Sequence, residues 1–148
     1  MPTASTRIAI ADDHPVVLVG LAQELRALHD VEVAVMAQSS DELIRKLNER
    51  PCTVVLTDDT LPASQAKCGG GLLALLRASY AAATVVVLTM EDHPEAIHAL
   101  REQGVSHIVS KSDATVHIAR AVEAARTGRP YLSPKITKII DEGGRAAA

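Results

Sequence analysis

The sequence predicts a doubly wound α/β fold, in which helices cover both faces of a five-stranded parallel sheet. Its 148 residues suffice for about one domain, and 47% apolar with 22% charged residues is typical of a globular protein. Short β-branched apolar runs alternate with segments of helical apolar spacing, which predicts the order βαβαβαβαβα. The predicted strands are Ile8–Ala11, Val31–Ala37, Cys52–Thr57, Thr84–Thr89 and Ser106–Ser110.

The strands differ in how their apolar residues are spaced. Four of them are apolar throughout, which is typical of strands buried on both faces of a parallel sheet. The run Val31–Ala37 alternates instead, with valines at positions 31, 33 and 35 and Glu32 between the first two. Alternation indicates that one face is less covered, so we expect this run to be an edge strand.

Helices are predicted between the strands from apolar spacing and from residues that start or stop helices. The first follows Pro15, a favourable first-turn residue, and carries leucines at positions 18, 21, 25 and 28. The second, Asp41–Arg50, has Ser40 as its expected N-cap. The others are Gly71–Tyr80, Pro94–Gln103 and Ala114–Thr127, of which the last two stop at Gly104 and Gly128.

Composition excludes several classes of function. The absence of Phe and Trp nearly excludes single-strand nucleic-acid binding by base stacking, and a net charge of −3 is too acidic to hold a phosphate backbone. Cys52 and Cys68 form no CxxC motif, and free thiols suit a reducing, cytoplasmic compartment. Because no run reaches the roughly 20 apolar residues of a membrane span and Met1–Arg7 lacks a signal core, we expect no membrane partner.

Residues 129–148 break the alternation of strands and helices. Arg129–Pro134 contains two prolines, Lys135–Ile140 is long enough for one or two helical turns, and Gly143–Ala148 is expected to be loose. We therefore predict a domain over residues 1–128 and a linker or tail over residues 129–148.

Polar side chains follow the predicted strands at their carboxyl ends. Ligands of doubly wound sheets bind at that edge, so residues far apart in sequence are expected to converge there. Clustered carboxylates repel one another without a cation, and a hard ion such as Mg²⁺ suits oxygen ligands. A carboxylate can also accept a phosphoryl group, in a reaction catalysed by positioning and charge neutralisation. The candidate residues are Asp12, Asp13, Asp58, Asp59, Thr89 and Lys111.

Four segments resemble the receiver domain of two-component response regulators. Their order and spacing match that family over most of the chain, so the resemblance implies the flavodoxin-like (βα)5 receiver fold for residues 1–128. The segments are Ile10–Pro15, Leu56–Pro62, Val87–Met90 and Ile108–Lys111.

The resemblance also implies roles for the polar residues. Asp58 is the expected phosphoacceptor, and Asp13 and Asp58 are expected to bind Mg²⁺ together with the main-chain carbonyl of Thr60. Asp12 is expected to assist through a water molecule. The residues expected to contact the phosphoryl group are Thr89 and Lys111.

The opening Asp-Asp-His-Pro and the segment Gly128–Pro134 resemble the NarL/FixJ (LuxR-type) class, above all its RcsB-like subgroup. This resemblance implies a transcription regulator whose phosphoryl donor is a sensor histidine kinase or a histidine phosphotransfer protein. It implies a phosphorylation-dependent homodimer and contact with DNA only through a C-terminal helix-turn-helix that is not in this chain. The chain is expected to be a signalling receiver that catalyses only its own phosphorylation and dephosphorylation.

The chain departs from the family pattern at three places. The position three residues before Lys111 usually holds a rotating aromatic side chain and here holds Ile108. Asp59 adds a negative charge directly after the expected phosphoacceptor, where it is interpreted as a solvent-facing neighbour. The loop Ala63–Gly71 is longer than usual and glycine-rich, so we expect it to be mobile. His14, beside the acidic pair, is interpreted as a loop or helix-start residue.

Two alternatives of other classes stay open. A pseudo-receiver would share the fold but act only as an unphosphorylated interaction module, and Ile108 favours it. A phosphohydrolase of the haloacid-dehalogenase type would also use an aspartyl-phosphate. Such enzymes place a second Asp two residues after the nucleophile, where this chain has Thr60.

Overall fold

A computed structural model of the chain describes residues 6–59 and 71–146. The described strands are β1 (Thr6–Ala11), β2 (Val31–Ala37), β3 (Val54–Asp58), β4 (Thr84–Thr89), β5 (His107–Ser110) and β6 (Tyr131–Leu132). The described helices are α1 (Pro15–Arg26), α2 (Ser40–Glu49), α3 (Gly71–Ser79), α4 (Pro94–Glu102), α5 (Val116–Arg126) and α6 (Pro134–Ala146).

The strands are hydrogen-bonded in the order β2-β1-β3-β4-β5-β6, with parallel pairing. The predicted parallel α/β sheet is confirmed, but the predicted count of five strands is wrong. The additional strand β6 pairs with β5 through Tyr131 and Leu132. Two residues are too few to show an alternation of apolar and polar side chains, so periodicity does not predict this strand.

The chain forms two compact units, divided after Val85 within β4. In the first unit, α1 and α2 both pack on β1 and β2. Side chains of β1, β2 and β3 form a core with leucines of α2 and α3, whereas Ile8 and Ile10 alternate to the opposite face. Helices therefore cover both faces of the first unit's strands, as predicted. The buried core residues are Ala9, Ala11, Val35, Ala37, Leu43, Leu47, Val55 and Leu76.

β2 is an edge strand, as its alternating pattern predicts. Two basic side chains, one from α2 and one from its C-cap residue Arg50, donate hydrogen bonds to carbonyl groups of β2. Lys46 Nζ donates to the carbonyl of Met36 at 2.7 Å, and Arg50 donates to the carbonyl of Ala34 at 3.2 Å. Such contacts reduce the number of open acceptors that an edge strand presents to other chains.

α2 begins with a different cap from the one predicted. Ser39, not Ser40, is the N-cap, and its hydroxyl accepts a hydrogen bond from the N–H of Glu42 at 3.2 Å. Ser40 is instead the first residue of the helix and is buried. Two adjacent serines offer the same capping chemistry, so only the backbone path selects between them.

In the second unit, α5 packs on β5 and β6, and α6 packs on β5 and α4. α6 has thirteen residues and includes Gly143, so the expectations of one or two turns and of a loose Gly143–Ala148 segment are wrong over residues 143–146. Ile136 and Ile139 are buried, at 0% and 6% exposure, and their burial stabilises a helix that its composition alone does not predict.

Glycines end two helices as predicted. Gly104 and Gly128 have φ angles of 90° and 73°, a left-handed conformation that favours glycine after a helix.

Over the ranges 6–59 and 71–146, no helix is both long and apolar enough to span a bilayer.

Candidate functional site

The acidic pair Asp12 and Asp13 directly follows β1. The N–H of Asp12 donates to the carbonyl of Ala37 at 3.0 Å, which continues the pairing of β1 with β2 by one residue. Its Oδ1 accepts the N–H of His14 at 2.9 Å, a turn that holds the backbone just before Pro15 starts α1. This local structure buries Asp12 completely and leaves Asp13 exposed.

Asp58 is the last residue of β3 and is 4% exposed. β1 and β3 are parallel neighbours in which Ala11 lies opposite Thr57. Because the two strands are parallel, the residues that follow this pair, Asp12 and Asp58, lie side by side. The sheet thus brings together two carboxylates that are far apart in sequence.

One ligand atom from each of Asp12, Asp13, His14 and Asp58 lies within 4.8 Å of the others. The Nδ1 atom of His14 is 2.9 Å from Oδ1 of Asp12 and 2.9 Å from Oδ1 of Asp13. His14 is the N-cap of α1, which confirms its interpretation as a helix-start residue. The structure places the imidazole ring of His14 in the acidic cluster. In the sequence, only the position of His14 directly after Asp12 and Asp13 indicates this contact.

The acidic cluster fits a divalent cation. Two of its carboxylates, Asp12 and Asp58, are buried, and their repulsion at short range favours a positive charge between them. Carboxylate oxygens are hard ligands of the kind that Mg²⁺ takes. Asp12, Asp13 and Asp58 are the residues that would hold such an ion.

Asp59, a further candidate residue of the sequence analysis, directly follows Asp58. Asp59 is half-buried and is not a member of the group found over residues 6–59 and 71–146. Residues 60–70 lie outside the described part of the chain; they include Thr60, Cys68 and most of the loop predicted over Ala63–Gly71.

The second unit brings Thr89 and Lys111 together. Thr89 ends β4, is fully buried, and its hydroxyl accepts the N–H of Glu91 at 2.9 Å. Thr89 lies opposite Ser110, the last residue of β5, and the N–H of Lys111 donates to the carbonyl of Thr89 at 2.8 Å. Both residues therefore lie at carboxyl ends of strands, as predicted.

The position that usually holds a switch aromatic is part of the sheet interior. Ile108 is fully buried in β5, opposite Val87 of β4 and Leu132 of β6. Met90 is 66% exposed, because it lies one residue beyond the end of β4.

Cys52 is the cysteine within the described part of the chain. Cys52 is half-buried, and burial raises the pKa of its thiol, outweighing Arg7 and Arg50, which lower it. A raised pKa leaves less thiolate, which is the nucleophilic form. The strand expected to start at Cys52 begins at Val54, so Cys52 precedes β3.

The family model of the response regulator receiver domain matches residues 8–123. Among curated proteins, the transcriptional regulatory protein RcsB of Escherichia coli (strain K12) is 26% identical over 135 residues, which are 91% of this chain and 62% of that protein. The oxygen regulatory protein NreC of Staphylococcus haemolyticus is 28% identical over 136 residues, which are 90% of this chain and 61% of that protein. The chain thus spans about three fifths of the length of these relatives.

Solved structures give the same result for the fold. The isolated REC domain of RcsB from Salmonella enterica serovar Typhimurium, in the presence of phosphomimetic BeF3⁻, has a TM-score of 0.86 and 26% identity. The match covers 92% of this chain and 99% of that domain. A structure of two RcsB dimers bound to two parallel DNAs has a TM-score of 0.86 and 26% identity, with 93% of this chain and 68% of that chain covered.

Proposed function

The chain belongs to the response regulator receiver domain family, and from this premise we propose that phosphorylation of Asp58 controls it. One observation carries the proposal: Asp58 is buried at the end of β3, within 4.8 Å of a cluster formed with Asp12, Asp13 and His14. A carboxylate in this position can act as a nucleophile, and its neighbours can hold the cation that phosphoryl transfer requires.

In the proposed reaction, a carboxylate oxygen of Asp58 attacks the phosphorus of the donor. The new O–P bond forms as the bond between phosphorus and the donor group breaks. Asp13 and Asp58 would hold Mg²⁺ with the carbonyl of Thr60, and Asp12 would act through water. When bound, the ion neutralises negative charge on the phosphoryl oxygens.

Thr89 and Lys111 would contact the phosphoryl group through a hydroxyl and an ammonium. Their positions at the ends of β4 and β5, joined by the 2.8 Å bond from the Lys111 N–H, support these roles. An ammonium and a hydroxyl are suitable partners for phosphoryl oxygens, because one supplies positive charge and the other donates a hydrogen bond.

The proposal includes partners and output. We infer that the donor is a sensor histidine kinase or histidine phosphotransfer protein of the cytoplasm, and that phosphorylation favours a homodimer. The inferred output is transcription control, with DNA contacted only through a C-terminal helix-turn-helix domain. We take residues 1–128 as the receiver and 129–148 as the connection to that domain; the match of the receiver family model to residues 8–123 supports this division.

Intact-mass spectrometry after incubation with acetyl phosphate and Mg²⁺ tests the proposal. The native chain should gain one phosphoryl group that hydroxylamine removes, and Asp58→Asn should gain none, because an amide is not a nucleophile here. Asp59→Asn is the matched control and should still be labelled. Full labelling of Asp58→Asn, or loss of labelling only in Asp59→Asn, would contradict the assignment.

Ile108 favours one second candidate, an unphosphorylated interaction module. A fully buried β-branched side chain between two strands has no free rotation with which to follow Thr89. An unlabelled native chain under conditions that label a known receiver would support this alternative.

A further inference from the structure

The first turn of α6 is tied to the segment that contains Lys111. The hydroxyl of Ser133, which is fully buried, accepts the N–H of Ser110 at 2.9 Å. Oδ2 of Asp113 accepts the N–H of Lys135 at 3.0 Å, so a residue of another segment caps α6. These two bonds connect α6 to the residues one before and two after Lys111.

The last turns of α6 rest on the start of α4. A Cβ atom added at Gly143 would lie 2.6 Å from Cβ of Pro94, so the two helices are in close contact at this point. Pro94 is the first residue of α4 and follows the segment Met90–His93, which continues from Thr89. α6 therefore contacts the segments that follow Thr89 and Lys111, one near each of its ends.

The space between these contacts is only partly filled. Ile136 and Ile139 of α6 are buried. Beside them, a cavity of about 490 Å³ is lined largely by charged side chains. A polar cavity allows a helix to shift without exposing much apolar surface. The charged lining residues are Asp92, Asp113, Lys135, Lys138 and Glu142.

We propose that α6 is the element that receives the conformational change when the receiver is phosphorylated. This inference rests on the function proposed above, and it names the helix to which the conformational change is transmitted. A shift of Lys111 or Thr89 moves the segments that Ser133, Lys135 and Gly143 contact. The route uses two hydrogen bonds from a backbone N–H to a side-chain oxygen, and a contact between helices. It therefore does not need the rotating aromatic side chain that Ile108 replaces.

Hydrogen–deuterium exchange of the full chain, with and without Mg²⁺ and beryllofluoride, measures this directly. Beryllofluoride with Mg²⁺ should change exchange over residues 134–146 by at least about threefold, with little change over residues 8–11 of the core. Binding itself is monitored separately as a rise in melting temperature.

Variants at two of these contacts, Asp113 with Lys135 and Gly143 with Pro94, test whether the conformational change is transmitted through them. Asp113→Ala removes the cap and should raise exchange in α6 by roughly tenfold, because a hydrogen bond to a carboxylate is lost. Asp113→Asn keeps an acceptor and should restore most of the protection. Asp141→Asn, an exposed change on the same helix with similar helix propensity, is the matched control and should behave like the native chain.

The variant Gly143→Ala distinguishes the effect of α6 packing on α4 from the effect of intrinsic helix propensity. Alanine strengthens an isolated helix relative to glycine, so propensity alone predicts slower exchange. The contact with Pro94 predicts faster exchange instead, because the added Cβ pushes α6 away from α4.

The outcomes are distinguishable. If beryllofluoride raises the melting temperature but leaves exchange over residues 134–146 unchanged, the role of α6 is wrong while the proposed function stands. If Asp113→Ala and Gly143→Ala bind beryllofluoride and α6 still responds as in the native chain, the conformational change is not transmitted through these two contacts. If beryllofluoride gives no rise and acetyl phosphate gives no labelling, the proposed function itself is wrong, and this inference falls with it.

Discussion

The Nε2–H group of His107 donates a hydrogen bond to the backbone carbonyl of Arg129 across 2.6 Å. A carbonyl only accepts, so this bond fixes the tautomer and leaves Nδ1 to accept from the Ser106 hydroxyl at 3.2 Å. His107 is 5% exposed, and burial lowers its pKa, although the bond to Arg129 acts to raise it. The folded protein therefore favours the neutral imidazole.

This lowered pKa predicts that acid destabilises the fold. The unfolded chain protonates His107 near its ordinary pKa of 6.5, and the folded chain does so only at lower pH. Between these values the unfolded state binds more protons, so the free energy of unfolding falls as pH falls below about 6.5. Urea unfolding as a function of pH should show a shallower slope for His107→Gln than for the native chain. An equal slope in the two proteins would show that His107 does not carry this acid dependence.

Adjacent serines at the start of α2 should respond in opposite ways to alanine. Ser39→Ala removes the cap on Glu42 and should cost about 1 kcal/mol. Ser40 is 3% exposed, and its hydroxyl has no hydrogen-bond partner among the described residues. Ser40→Ala should therefore be neutral or stabilising, by up to about 1 kcal/mol. Equal losses in chemical denaturation would show that the capping assignment is wrong.

Mg²⁺ should stabilise the folded chain. A ligand that binds only the folded state adds about 2.7 kcal/mol at one hundred times its dissociation constant. Asp13→Ala should lose most of the rise in melting temperature, because it removes a carboxylate of the cluster. Asp59→Ala, outside the described group, should keep it, and EDTA should reverse it. A full response in Asp13→Ala would place the ion elsewhere.

Phosphorylation should increase self-association without creating DNA binding. Light scattering after gel filtration should show a larger mass with beryllofluoride and Mg²⁺ than without, and Asp58→Asn should show no difference. The same samples should not retard duplex DNA at physiological salt, because a net charge of −3 gives no electrostatic attraction to phosphates. Retardation by the native chain alone would contradict the assignment of DNA contacts to another domain.

The carboxylate pair at the centre of the site could be predicted from sequence for a simple reason. Asp12 and Asp58 each follow a short apolar run, and parallel pairing brings the residues after such runs together. Thr89 and Lys111 follow the same rule in the second unit. Their positions at strand ends depend on where each apolar run stops, which local patterns indicate well.

Contacts between distant segments could not be predicted in this way. His14 was interpreted as a helix-start residue, and its contact with Asp13 depends on a side-chain torsion angle that no spacing reports. The sequence predicts a linker or tail over residues 129–148, because its prolines and glycines are poor helix and strand formers. Within this range, the contact of Gly143 with Pro94 and the burial of Ile136 stabilise α6.

The sequence by itself therefore determined the strands, most of the helices and the three aspartates of the site, because apolar periodicity and turn residues act locally. Only the tertiary structure decided that Tyr131 and Leu132 join the sheet and that α6 is a full helix bound at Ser133 and Asp113. The physical reason is that a short or weakly helical segment is stabilised by burial and hydrogen bonds that neighbouring segments supply. Such contributions do not exist until the chain has folded.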